Sequence, residues 1–314
     1  MTLREAIQYY IAWRQAHGVK YKSGAAVLNL FLKGIDGEIG CDGVTEAQLL
    51  AFLAGKGPLT RHCQNKYCVL AGFCRFAISR GHAHHTPLPG NEPKPPARRR
   101  PYIYSHDELR RLFDTIEVNR RGAVNLDADT FRTLLLLLYG AGLRVGEARR
   151  FILADVDLSS VVLTIRDTKF FKSRLVPVGP RLAAVLKEYA SLRADRPLPQ
   201  GGDSFFLVNR NGTPLAHSTL WDAFARLCRA AEIGSANGVC RPPCLHAFRH
   251  SFAVHTLTAW YRQGADVQRL LPVLSTYLGH SDLEGTKVYL SMTPELLQQA
   301  SLRFARYADG GRDA

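Results

Sequence analysis

No stretch of this chain is long and apolar enough to cross a bilayer. A spanning helix needs about 18 or more apolar residues in a row, and the longest greasy segment, Thr133 to Tyr139, is seven residues, the length of a buried helix half. The amino terminus, MTLREAIQYYIAWRQ, lacks the basic-then-apolar layout of a secretory signal and alternates charged and apolar residues helically. A membrane protein is therefore excluded, and a cytoplasmic location is expected. Negative charge is also scarce: 27 Asp and Glu face 41 Lys and Arg, a net +14, which suits a polyanionic partner. The excess is spread along the chain, since the first 100 residues already hold 14 basic side chains against 6 acidic ones. Cysteines number seven, an odd count in an unsecreted chain, so they read as reduced thiols and not as a disulfide framework. No internal repeat is visible.

What is present reads as two globular domains. The 314 residues are 46% apolar and 22% charged, and a domain takes about 100 to 200 residues. Over residues 1–85, Ala6, Tyr9, Tyr10 and Trp13 recur at helical spacing, and 25–32, 46–53 and 63–79 repeat the pattern, predicting a small all-helical bundle. Residues 86–102 form the expected linker: the segment His85 to Pro101 carries six prolines and an arginine cluster, a composition that makes neither helix nor central strand. Its Lys94, Arg98, Arg99 and Arg100 are candidates for following a phosphate backbone, with a plain solvated linker as the alternative.

Residues 103–292 predict a second, α+β domain. Ser105 and Glu108 have the spacing of a capping box at a helix start. Helices are expected over 129–139, 145–150, 180–193, 217–232, 246–259, 265–278 and 282–290, the last opened by a second box, Ser281 and Glu284. Between them, the β-rich runs 160–165 and 174–178 flank Thr168 to Ser173, a hairpin with a basic tip, where Lys172 and Arg174 are candidates for contacting DNA. The chain is thus mainly α with one small antiparallel sheet. In the segment 293–314, Pro294 suits a first helical turn, and Leu296, Leu297, Ala300 and Phe304 line one stripe of a tail helix.

Three segments carry chemistry. Tyr139-Gly-Ala-Gly-Leu-Arg144-Val-Gly-Glu147 places an arginine after a glycine turn with a carboxylate one turn later to orient it. Leu245-His246-Ala-Phe-Arg249-His250 puts a histidine and an arginine on one helix face. Leu278-Gly279-His280 is followed, nine residues after the histidine, by Tyr289. Cys240, Cys244, His246 and His250 also have tempting zinc spacing, but a zinc-bound His246 is lost to other chemistry, and no metal is expected.

Together these segments resemble the tyrosine recombinase (phage integrase) family, with further similarity to integrases and transposases of mobile elements. The resemblance implies a helical core-binding domain joined to a catalytic domain that cuts and rejoins DNA through a 3′-phosphotyrosine. Tyr289 is then the nucleophile, Arg144 and Arg249 clamp the phosphate, His246 serves as general acid or base, His280 hydrogen-bonds the phosphate, and Glu147 holds Arg144. A phenol is barely ionised at neutral pH, and guanidinium forks bind two oxygens of a phosphoryl transition state, so these residue types suit the reaction. The resemblance assigns protonation of the leaving 5′ oxygen to Lys169 on the hairpin, with Lys172 as rival. It further implies double-stranded DNA at specific sites as partner and no cofactor. Assembly is expected as a homo-tetramer whose tail docks on a neighbouring protomer, with or without partner recombinases. Integration, excision or transposition leads as the role, and chromosome-dimer resolution comes second.

Overall fold

The computed structural model describes residues 1–54, 60–90, 94, 100–118, 126–166, 173–234, 241–280, 283–291, 297–298 and 301–302. Arg98, Arg99, Lys169, Lys172, the expected Ser281 cap and most of the expected tail helix lie outside them. The described residues fall into two compact units, from Met1 to Lys94 and from Arg100 to Leu302. No helix among them is long and apolar enough to cross a membrane.

The first unit contains α1 (Leu3–Ala16), α2 (Lys22–Leu32), α3 (Glu46–Ala54) and α4 (Arg61–Ser79). Thr2 starts α1 with a capping box: its hydroxyl accepts the Glu5 N–H at 3.2 Å, and the Glu5 carboxylate accepts the Thr2 N–H at 2.9 Å. The apolar stripes of α1, α2 and α4 meet in one core of Leu3, Ile7, Tyr10, Leu28, Phe31, Leu70, Phe73 and Phe76. Aromatic rings fill its centre, with Tyr10 and Phe76 centroids 5.0 Å apart.

The second unit opens with α5 (His106–Val118) on the Ser105–Glu108 box, whose two hydrogen bonds measure 2.7 and 3.1 Å. It continues through α6 (Ala128–Gly140), α7 (Val145–Ala148), strands β1 (Val156–Asp157), β2 (Val162–Ile165) and β3 (Arg174–Pro177), then α8 (Pro180–Ala194), α9 (His217–Ala230), α10 (Leu245–Arg262), α11 (Val267–Leu278) and α12 (Glu284–Lys287). The leucine run of α6 is core: Leu134, Leu135, Leu137 and Leu138 are fully buried, and α8 and α10 pack on that helix.

Three differences from the sequence reading bear on the site. The expected hairpin strands pair antiparallel as β2 and β3, and β1 adds a third strand in the order β1-β2-β3; β1 is two residues long and too short to leave a periodic signal. Helix α7 stops at Ala148, and the chain turns so that Phe151 is buried and Ile152 can bridge Phe205. The expected helix over 282–290 is α12 followed by a 3₁₀ turn, Val288–Ser291. With near three-residue spacing, Thr286 and Tyr289 face the same way, and both are buried.

Candidate active site

The site is built around the carboxyl end of α11, where a helix leaves its last carbonyls without intrahelical partners and carries negative dipole. Three successive carbonyls there each accept from a different arginine. Arg174 Nε donates to Tyr277 O at 3.0 Å, Arg249 Nη2 to Leu278 O at 2.5 Å and Arg144 Nη2 to Gly279 O at 2.9 Å. Gly279 closes the helix in the left-handed conformation, φ 68°, and a Cβ there would stand 2.6 Å from the Arg174 guanidinium. Arg249 also donates to Gly142 O at 2.6 Å. Gly142 itself needs to be glycine, since φ is +59° and a Cβ would meet the Phe252 ring at 2.5 Å. One guanidinium thus joins α10 to the turn before Arg144 and to the end of α11.

Glu147 balances this positive cluster. Its carboxylate, 4% exposed, accepts the Arg144 N–H at 2.9 Å and the Arg144 guanidinium at 2.8 Å, and takes a two-pronged fork from Arg174 at 3.1 and 3.0 Å. Burial pushes the Glu147 pKa up, but Arg174 and then Arg144 outweigh it and hold the carboxyl at about 2. Arg249, 1% exposed, is pushed down to about 10 by burial and by the neighbouring Arg144 charge. Arg144 keeps more of its side chain in solvent, at 37% exposed.

Tyr289 lies in the 3₁₀ turn with its ring between two histidines. Its hydroxyl is 3.0 Å from His250 Nδ1, and the His280 ring stacks on it with centroids 6.1 Å apart. His280 Nδ1 pairs with the hydroxyl of buried Thr286 at 2.7 Å, which fixes the ring's orientation. Burial raises the Tyr289 pKa above that of a free phenol, and the Arg249 and Arg144 charges oppose the rise. His246, one turn before His250 on α10, has its ring edge-on to it at 4.6 Å and opens to solvent. The protein around its ring, then Arg249 and Arg144, push His246 down to about 4, so it is neutral at physiological pH.

The structure therefore brings Arg144, Glu147, His246, Arg249, His280 and Tyr289 into one cluster of guanidinium groups, a carboxylate, imidazoles and a phenol, an arrangement able to hold a phosphate and attack it. Arg174 is 11% exposed and bonded to Glu147 and the Tyr277 carbonyl, because β3 packs beside α11. Lys94 and Arg100 are exposed. Two contributors were missed as such: Thr286, and His250, which sequence reading considered only as a zinc ligand. The four-residue spacing of His246 and His250, one helical turn, was the available signal.

The profile of the phage integrase family matches residues 103–295. The integrase/recombinase y4rB of Sinorhizobium fredii is 34% identical over 97% of this chain and 98% of its own. Tyrosine recombinase XerD of Corynebacterium glutamicum is 28% identical over 94% of this chain and 88% of its own. Among solved structures, the Tn1549 transposon integrase in complex with transposon right end DNA aligns over 98% of this chain and 100% of that one, with TM-score 0.69 at 17% identity. A lambda integrase dimer bound to a COC′ core site aligns over 90% and 96%, with TM-score 0.64 at 17% identity. At that identity the structural likeness concerns the fold.

Proposed function

Because the chain belongs to the phage integrase family, it is a tyrosine-type DNA strand transferase, and we propose that it recombines double-stranded DNA at specific sites through a 3′-phosphotyrosine on Tyr289. The observation that carries the assignment of residues is the meeting of Arg144, Arg249, His280 and the buried Tyr289 hydroxyl at the end of α11. A mobile-element role, integration or transposition, is supported by the names of the relatives.

In this reading Arg144 and Arg249 hold the non-bridging oxygens of the scissile phosphate and stabilise the charge that builds in the transition state, each contact contributing about 3 to 4 kcal/mol. His246 and His280 serve the phosphate by hydrogen bonding and proton exchange. Glu147 and Arg174 position the arginines without reacting. Lys169 protonates the leaving 5′ oxygen, with Lys172 as the competing assignment; replacing Lys169 by Ala then slows cleavage more than replacing Lys172, and the reverse ranking moves the acid to Lys172. The phosphotyrosine conserves the energy of the broken bond, so a 5′ hydroxyl can reseal the strand. Residues 1–85 grip DNA as a core-binding domain, and the linker over 86–102 runs its Lys94, Arg98, Arg99 and Arg100 along phosphates. Four copies assemble on two duplexes through the tail, a reading supported by exposed Leu297 and Leu302.

The test uses nicked DNA spanning the borders of the element that carries the gene. Wild type should form a denaturant-resistant protein–DNA adduct, and Tyr289→Phe should form none. An adduct that persists in Tyr289→Phe would refute the nucleophile.

A further inference from the structure

We propose that His250 is the catalytic base that takes the proton from the Tyr289 hydroxyl, an inference resting on the reading of Tyr289 as nucleophile. The phenol is 2% exposed, so its proton must pass to a protein group, and His250 Nδ1 stands at 3.0 Å, within the reach of direct transfer. His246, four residues earlier, meets the His250 ring edge-on and lies further toward solvent.

The groups facing His250 keep its lone pair free. Burial first, then His246 and Arg249 of α10, Arg241 before that helix and His280 after α11, hold it uncharged, down to about 3. A phosphate seated between Arg144 and Arg249 offsets those cations, so an imidazolium at His250 becomes tolerable when the substrate is in place. The step balances as follows: the Tyr289 oxygen bonds to phosphorus, the bond from phosphorus to the 5′ oxygen breaks, the phenol proton goes to His250 Nδ1, and the 5′ oxygen takes its proton from Lys169. In resealing, the 5′ hydroxyl returns a proton to Lys169, and the departing phenolate takes one back from His250.

The experiment measures adduct formation on nicked DNA between pH 6 and 9 for wild type, His250→Gln, His250→Ala, Lys169→Ala and Tyr289→Phe. Each is run with the ordinary phosphodiester and with a bridging 5′ sulfur, which leaves without needing a proton. Gln keeps the volume and an acceptor but takes up no proton. Both His250 variants are expected to cleave about 10²- to 10⁴-fold more slowly at pH 7. Their deficit should shrink about tenfold per pH unit as hydroxide supplies the phenolate, and sulfur should not restore them, whereas it should restore Lys169→Ala. Wild-type cleavage by His250→Gln, a deficit equal at every pH, or rescue by sulfur overturns the proposal. An adduct formed by Tyr289→Phe overturns the nucleophile instead, so the two failures are distinguishable.

Discussion

The two units keep their interiors in opposite ways. Among the described residues, every buried polar or charged side chain belongs to the second: Thr130, Glu147, Asp155, Arg193, Arg249, Ser251 and Thr286 are among them. The first is closed by aliphatic and aromatic side chains, Leu3, Ile7, Phe31, Phe73 and Phe76 around Tyr10. Burying a charge is costly unless it is paired and hydrogen-bonded, so the second unit accepts a cost that the first avoids. Of these charges, Glu147 and Arg249 sit where α7, α10 and the end of α11 converge beside Arg174 of β3, and there arginines are aimed at one point. A packed apolar core needs only to be filled, whereas a site for a phosphate must hold cations together against their own repulsion.

The sharpest way to break this contrast is to remove one residue from each interior. Glu147→Ala strips Arg144 and Arg174 of their common carboxylate and should destabilise the second unit by about 3 to 5 kcal/mol, the range for a broken buried ion pair. Cleavage should fall a further hundredfold or more after correction for the folded fraction, because Arg144 loses its orientation. Phe76→Ala should destabilise the first unit by a similar amount, about 3 to 5 kcal/mol, through cavity formation. It should leave adduct formation per DNA-bound molecule unchanged. Chemical denaturation with single-tryptophan reporters, Trp13 for the first unit and Trp260 for the second, together with adduct assays, measures both. Equal losses of cleavage per bound molecule in the two variants would erase the distinction.

Acid should separate the units next. His250 and His255 are pushed down to about 3 and 4, each by burial first and then by neighbouring histidines, His246 and His106 respectively. An unfolded chain charges these histidines near pH 6.5 while the folded unit keeps them neutral, so stability is complete above 6.5. It declines as pH falls toward 4, by up to about 1.4 kcal/mol per pH unit for each site. Below about 4.5 Glu147 adds to the decline: it stays ionised when folded down to about 2, and its contribution of roughly 3 kcal/mol is lost through that window. Trp260 fluorescence should therefore report loss of structure at higher pH than Trp13. A single acid transition shared by both reporters would show that the buried charges do not govern the second unit's response.

What could be read from sequence follows the same division. Local signals were legible because each lies within a few residues: the Ser105–Glu108 box, the glycine turn before Arg144 and the leucine run of α6. The spacing of Arg144, His246, Arg249, His280 and Tyr289 was legible because it resembles a family's pattern. The role of Arg174 was not, since its partners Tyr277 and Glu147 lie 103 and 27 residues away in the chain. A strand that reads as a basic hairpin arm gives no sign that its arginine turns inward. Nor could the pairing of His250 with Tyr289, 39 residues apart, be seen before α10 and the 3₁₀ turn were brought together.

The smallest expected effect is a control on the contrast. Each unit begins with the same local device, Thr2 with Glu5 ahead of α1 and Ser105 with Glu108 ahead of α5. Thr2→Ala and Ser105→Ala should each cost about 1 kcal/mol, because each removes one acceptor from an orphan amide and touches no buried charge. Glu108 also receives the Tyr102 hydroxyl, so its carboxylate stays anchored after Ser105 is lost, and the helix start should survive in place. Urea unfolding followed at Trp13 and Trp260 should show the two losses equal within a few tenths of a kcal/mol, each confined to its own unit. A Ser105→Ala loss several times larger would mean that the polar network reaches from Arg249 to the start of α5, and the second unit's charges would then govern its folding as well as its site.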